Sequence, residues 1–415
     1  MRQSSSPSES PSQAPSQALP CDPDPHPVGL FDRIQARGAV REHLSDRAWL
    51  TALLDVEAAL ARAQAEVGLI PAGAADQIAA ACDPDRFDLA TLAEAAAESG
   101  NPVIPLVAGL RSAVEPRYAG MVHYSATSQD ILDTAAMLVA WRALGPLLDD
   151  LRAAAAAAAT LARTHRGTVM AGRTLLQQAM PVTFGLLAAG WLTALEQTRD
   201  RLRVVRQRRL AVQYGGPAGT LAGTGAFGLA VTARLATALG LVEPVLPWHT
   251  DRTRVADLAG ALATAAGVTG KVARDVILLS QNEIGEVTEG RPGGSSAMAH
   301  KRNPIASVCA AAGAAQAPGL TATILAAMPQ ELQRGAGGWH AEWRPLRELL
   351  SSTGSAVAWL RACLSDLRVH PDRMRANLAV GGESLLAGDI GLAGTLVDRA
   401  LGEYRAAGGK PGGAA

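Results

Sequence analysis

Aromatic side chains are scarce here. Phe, Trp and Tyr make up 4% of a 415-residue chain whose hydrophobic share is 48%. The apolar content therefore comes mostly from Ala, Leu and Val. Ala and Leu are the strongest helix formers, so an all-α subunit is the expected fold class. An excess of charge is also missing: 38 basic residues meet 38 acidic ones, the net charge is zero, and no Lys/Arg cluster stands out. That argues against a nucleic-acid or membrane-surface partner. Cysteine is rare, and Cys21, Cys82, Cys309 and Cys363 lie too far apart for metal-ligand spacing. They read as reduced, incidental thiols of a cytoplasmic protein, with no metal site. No uninterrupted apolar stretch reaches bilayer-spanning length. Met1-Arg2-Gln3-Ser4 lacks the apolar region of a secretory signal.

Along the chain, residues 1–28 are rich in Ser, Pro and Gln and are expected to form a disordered tail. Order should begin near Gly29-Leu30-Phe31, with an N-terminal helical domain over 29–126. Ser45-Asp46 reads as the N-cap of a first long helix that ends at Gly68 and Pro71. Short helices follow to about Ser99. A polar, turn-prone stretch, His123-Tyr124-Ser125-Ala126-Thr127-Ser128-Gln129-Asp130, then precedes a long apolar-periodic segment. Thr127 or Ser128 can cap that helix, which should run through the alanines of 153–159 toward His165. It would be on the order of 50 Å long, with a kink at Pro146. Met170 to Gly185 reads as a polar loop followed by a helix over 184–212. The glycine-rich Gly215 to Gly228 lacks a Gly-Lys-Ser/Thr ending and a preceding strand, so it is not a nucleotide loop. Helices are expected over 257–285, 305–327 and Leu346 to Leu367. Central long helices thus occupy 127–368, with a shortened C-terminal helical region over 369–415.

One stretch organises the rest: Gly293-Gly294-Ser295-Ser296-Ala297-Met298-Ala299-His300-Lys301-Arg302-Asn303-Pro304. It is too rich in Gly and Ser for a helix interior and too polar for a core strand. It reads as a mobile loop whose backbone N–H groups, Ser295, Lys301 and Asn303 can close over an anionic substrate.

This stretch resembles the signature loop of the fumarase/aspartase superfamily, G-S-S-x-M-P-x-K-x-N-P, with Ala299 in place of the proline. Thr127-Ser128-Gln129-Asp130 resembles the superfamily's T-S-x-D segment. Gly172-Arg173-Thr174-Leu175-Leu176-Gln177 resembles its G-R-T-H-x-Q segment, with Leu175 at the histidine. Gln281-Asn282-Glu283 matches its Q-N-E element, and Trp339-His340-Ala341-Glu342-Trp343 resembles a further segment given a packing role. The likeness covers roughly Phe31 to Tyr404. It extends to Asn377-Leu378 and Gly381-Gly382-Glu383-Ser384, the start of a C-terminal helical domain that looks curtailed.

The resemblance implies a central bundle of long helices flanked by smaller helical domains, in a homotetramer whose sites take segments from three subunits. It implies anti β-elimination, or its reverse, beside a carboxylate, through an aci-carboxylate intermediate. On it Ser295 is the general base or acid, while Lys301 and Asn303 hold the carboxylate. Thr127, Ser128, Gln129, Arg173, Thr174, Gln177, Asn282, Ser296, Met298 and His300 bind substrate, and His123 orients or protonates. No metal or organic cofactor is implied. Within the superfamily, Gly172-Arg173-Thr174-Leu175-Leu176-Gln177 together with His300-Lys301-Arg302-Asn303-Pro304 looks most like the cycloisomerases, which close a small tricarboxylate diene in aromatic catabolism. The alternatives are a C–N lyase, which should carry the missing histidine, and a silent crystallin-like scaffold.

Overall fold

A computed structural model describes residues 31–382 and 388–409. The expected tail at 1–28, Gly29-Leu30, Glu383-Ser384 and the last residues from Lys410 lie outside the described residues. A short helix, α1 (Asp32–Gln35), leads to α2 (Asp46–Glu66), where the Ser45 hydroxyl accepts the Ala48 N–H and supplies the expected cap. Helices α3 (Ala72–Ala81), α4 (Leu89–Ser99) and α5 (Val103–Ala113) complete the N-terminal part.

The long helix α6 (Ser128–Thr164) continues as a helix through Pro146. With α7 (Phe184–Arg208), α9 (Thr253–Leu279), α10 (Ile305–Ala326) and α11 (Gly338–Ser365) it forms the bundle, while α8 (Gly228–Leu239) packs against α2. Ala154, Ala155, Ala158 and Ala159 of α6 are fully buried, so their small side chains let neighbouring helices approach closely. After α11 come α12 (Pro371–Val380) and α13 (Ala393–Ala406); α13 packs on α6 and α7. Among the described residues the fold is all-α apart from two small antiparallel ribbons. One pairs β1 (Val169–Thr174) with β2 (Gln177–Thr183), the other β3 (Val287–Thr288) with β4 (Arg368–Val369).

Three expectations need correction. The stretch from Met170 is a hairpin, not a loop. Leu175 and Leu176 form its two-residue tip, both with positive φ (51° and 65°). That is the backbone of a tight hairpin turn, which Asn-Gly usually announces and two leucines conceal. Helix α9 ends at Leu279 rather than at residue 285, because Gly285 adopts φ +59° in a turn that carries Gln281, Asn282 and Glu283 outside the helix. Helix α11 begins at Gly338 rather than at Leu346, since Pro345 lies within its first turns and does not start it.

Among the described residues two helices, α6 and α10, are apolar and long enough to span a bilayer by composition. Most of α6 is buried in the bundle. Most of α10 is not, and Ile305, Val308 and Leu325 are exposed along it.

Candidate active site

The start of α6 is a rigid polar junction. Thr127 is the N-cap, and the Asp130 carboxylate accepts its N–H at 3.0 Å, closing a capping box. The same buried carboxylate accepts the N–H groups of Gly215 and Gly216 at 3.0 and 2.9 Å, and His249 Nε2 lies 2.6 Å from it. A Cβ at Gly215 would come within 2.7 Å of both His249 and Pro247, so only glycine allows this approach. The Gly215–Gly228 segment therefore fastens the α6 start rather than cradling a phosphate. Thr127 and Ser128 remain half-buried. Gln129 is buried, with its Nε2 donating to Asp133 Oδ2 and the His249 carbonyl.

His123 precedes this junction in left-handed backbone (φ 61°), with Nδ1 2.6 Å from the buried Glu57 carboxylate. Burial alone favours neutral imidazole. The Glu57 charge and hydrogen bond, helped by Asp130, outweigh burial and raise the His123 pKa. The folded protein then holds this proton more tightly than the unfolded chain. The stabilisation is fully present below the unfolded value of about 6.5 and is lost as pH rises through the folded value. The melting temperature is accordingly expected to fall as pH rises above about 6.5, and Glu57→Gln should flatten that slope. Calorimetry over this window checks it; an unchanged slope in the variant would assign the pH dependence to other groups.

The β1–β2 hairpin carries Arg173, Thr174 and Gln177. A Cβ at Gly172 would meet the Met180 carbonyl at 2.6 Å, so glycine lets the two strands close. Arg173 is gripped by the buried Glu286, its two terminal nitrogens donating at 3.0 and 2.7 Å. Asn377 Nδ2 also donates to Glu286, at 2.8 Å. The hairpin is thus joined to the turn holding Asn282, which is exposed. Thr174 and Gln177 are exposed too.

The signature loop is pinned at its base. Gly293 and Asn303 exchange backbone hydrogen bonds at 2.8 and 2.9 Å, and Asn303 Nδ2 donates to the Gly294 carbonyl. Beneath it, buried Glu289 accepts the N–H groups of Ala306 and Ser307 at 2.9 and 2.7 Å and the Ser307 hydroxyl at 2.7 Å. This single carboxylate ties the chain entering the loop to the chain leaving it. Ser295 Oγ accepts the N–H groups of Ala297 and Met298 at 3.3 and 3.2 Å. Two N–H dipoles aimed at the oxygen favour its deprotonated form. Ser296, Met298, His300 and Lys301 are exposed, and Lys301 has no acidic partner among the described residues.

Within one chain, then, Arg173 is brought to the Asn282 turn, and Ser295 to Asn303. Among the described residues, no hydrogen bond or ion pair links the α6 start to the hairpin or to the signature loop. Sequence reasoning missed Glu57, His249, Glu286 and Glu289, which fix the polar segments in place. Asp130, three residues after Thr127, had a readable signal in the capping-box spacing.

A helical bundle that carries a Gly-Ser-Ser loop with Lys301 and Asn303, and further polar segments beside its helix ends, has the architecture of a lyase-type enzyme. Comparison with known proteins agrees. Residues 32–319 match the sequence model of the lyase family. The chain is 49% identical to a 3-carboxy-cis,cis-muconate cycloisomerase of Bradyrhizobium diazoefficiens, over 82% of this chain and 77% of that one. It is 45% identical to a nitrosuccinate lyase of Streptomyces davaonensis, over 86% and 78%. It superposes on the crystal structure of 3-carboxy-cis,cis-muconate lactonizing enzyme from Pseudomonas putida with a TM-score of 0.82 and 39% identity, over 91% and 88% of the two chains. The chain belongs to the fumarase/aspartase superfamily.

Proposed function

We propose that this enzyme cyclises 3-carboxy-cis,cis-muconate to 4-carboxymuconolactone. The carrying observation is an intact Ser295/Lys301/Asn303 loop combined with apolar Leu175 at the hairpin tip. In ring closure a substrate carboxylate oxygen bonds to an alkene carbon, and the π pair moves toward the carbon beside a second carboxylate. The resulting aci-carboxylate is stabilised by Lys301 and Asn303 and takes a proton at carbon from Ser295. No atom is lost. In reverse, Ser295 Oγ removes that proton and the ring oxygen leaves as a carboxylate.

A carboxylate, with a pKa of roughly 4, departs as a stable anion and needs no acid. An amine leaving group needs a proton donor where Leu175 stands. Thr127, Ser128, Arg173, Thr174, Gln177 and Asn282 bind the remaining carboxylates.

We further infer a homotetramer with sites shared between subunits. The exposed apolar residues of α10 and the separation of the polar segments within one chain support this.

The test is an assay on 3-carboxymuconate read by loss of diene absorbance, with adenylosuccinate and argininosuccinate alongside. Cyclisation and no detectable C–N cleavage are expected; efficient cleavage of either would overturn the substrate assignment. The likeness to a nitrosuccinate lyase favours a second reading, because nitrite also leaves as a stable anion and Leu175 tolerates it equally. Nitrite release from nitrosuccinate faster than cyclisation would select that reading.

A further inference from the structure

A cavity of about 330 Å³ opens between the N-terminal helices and the bundle; none of the proposed substrate residues lines it, and its wall meets them only through Asp133, which accepts from Gln129. Leu50, Leu53, Leu89, Leu92, Leu132 and Met137 give it mostly apolar walls. Its size and lining are those of a small-molecule site. Trp49 and Trp343 also line it, and the indole N–H of each is buried without a hydrogen-bond partner among the described residues. A buried donor is rarely left unpaired, so these indoles call for an occupant that carries an oxygen acceptor.

The charged groups say which kind. On the inner wall Arg252 is already held by Asp133, at 2.8 and 3.0 Å, and by Glu342, so it has little to offer an anion. Of the other charged lining residues, Arg347 is paired with Asp46 at 2.6 Å. Arg344 is exposed and has no acidic partner among the described residues. Three acidic and three basic side chains line the site, and Arg344, on its solvent side, is the lining guanidinium without an acidic partner among the described residues.

We propose that this cavity binds a hydroxylated aromatic monocarboxylate. Its rings lie against the leucines and indoles, its hydroxyl oxygen accepts from an indole N–H, and its carboxylate meets Arg344. The occupant is of one or two rings, a body that a cavity of about 330 Å³ can hold.

The experiment is titration calorimetry of the full-length protein with 6-hydroxy-2-naphthoate, with 2-naphthoate and 2-naphthol as analogues lacking one polar group each. Saturable binding of one molecule per chain is expected, and each analogue should bind at least about tenfold more weakly. Trp343→Phe keeps the ring but removes the donor, and Arg344→Gln changes an exposed residue. Each should weaken the hydroxynaphthoate at least about tenfold. The proposal is overturned by absence of saturable binding, by unchanged affinity in both variants, or by competition with the enzyme's substrate.

Discussion

Ser295→Ala is expected to lower kcat by about 10²- to 10⁴-fold, the range for losing a positioned proton-transfer group. Stability should change by less than about 0.5 kcal/mol. Both halves follow from where the residue is. Its hydroxyl accepts two backbone N–H groups at the turn of an exposed loop, and no buried group depends on it. The loop base is held instead by the Gly293–Asn303 pair and by Glu289. A free serine hydroxyl is far too weak an acid to lose its proton near neutral pH. The two N–H dipoles favour its deprotonated form, and Lys301 adds to them when the loop closes on substrate. Lys301→Ala should behave differently. It contacts the carboxylate in ground state and intermediate alike, so KM should rise along with the fall in kcat. Steady-state kinetics and thermal melts on both variants check this. Wild-type turnover in Ser295→Ala would remove it from the proton-transfer role.

The long helices and the loop were legible because their signals are local. Ser45 capping α2, the alanine run of α6 and the Gly-Ser-Ser loop each depend on neighbours within a few residues. What was not legible depends on partners far along the chain. Glu286 gathers Arg173 and Asn377 from more than ninety residues on either side, and no spacing rule announces that. Arg252 between Asp133 and Glu342 is a buried charge cluster of the same kind. The hairpin was not legible for a second reason, since its turn backbone is normally written as Asn-Gly and here is written as Leu175-Leu176. A similar limit applies to α10. Composition identifies an apolar helix, but whether its neighbours lie in the same chain or in another copy is decided only by which faces the fold leaves uncovered.

That uncovered face leads to the prediction that most directly tests the shared site. Two inactive proteins should regain activity when mixed. The first carries Ser295→Ala. The second must lose Arg173 without leaving Glu286 as an uncompensated buried charge, which would cost about 3–5 kcal/mol, so Arg173→Ala is combined with Glu286→Gln. Suppose each site draws Ser295 from one subunit and Arg173 from another. In randomly mixed oligomers about a quarter of the sites then hold both native residues. Activity should rise from near zero to about a quarter of the wild-type value, after co-refolding or exchange confirmed by differently tagged chains. If both residues of a site came from one chain, every site would lack one of them whatever the mixture, and activity would stay at the level of the separate variants. The two outcomes differ by far more than the error of a steady-state assay. No recovery in oligomers shown to contain both chains would place Ser295 and Arg173 of each site within a single subunit.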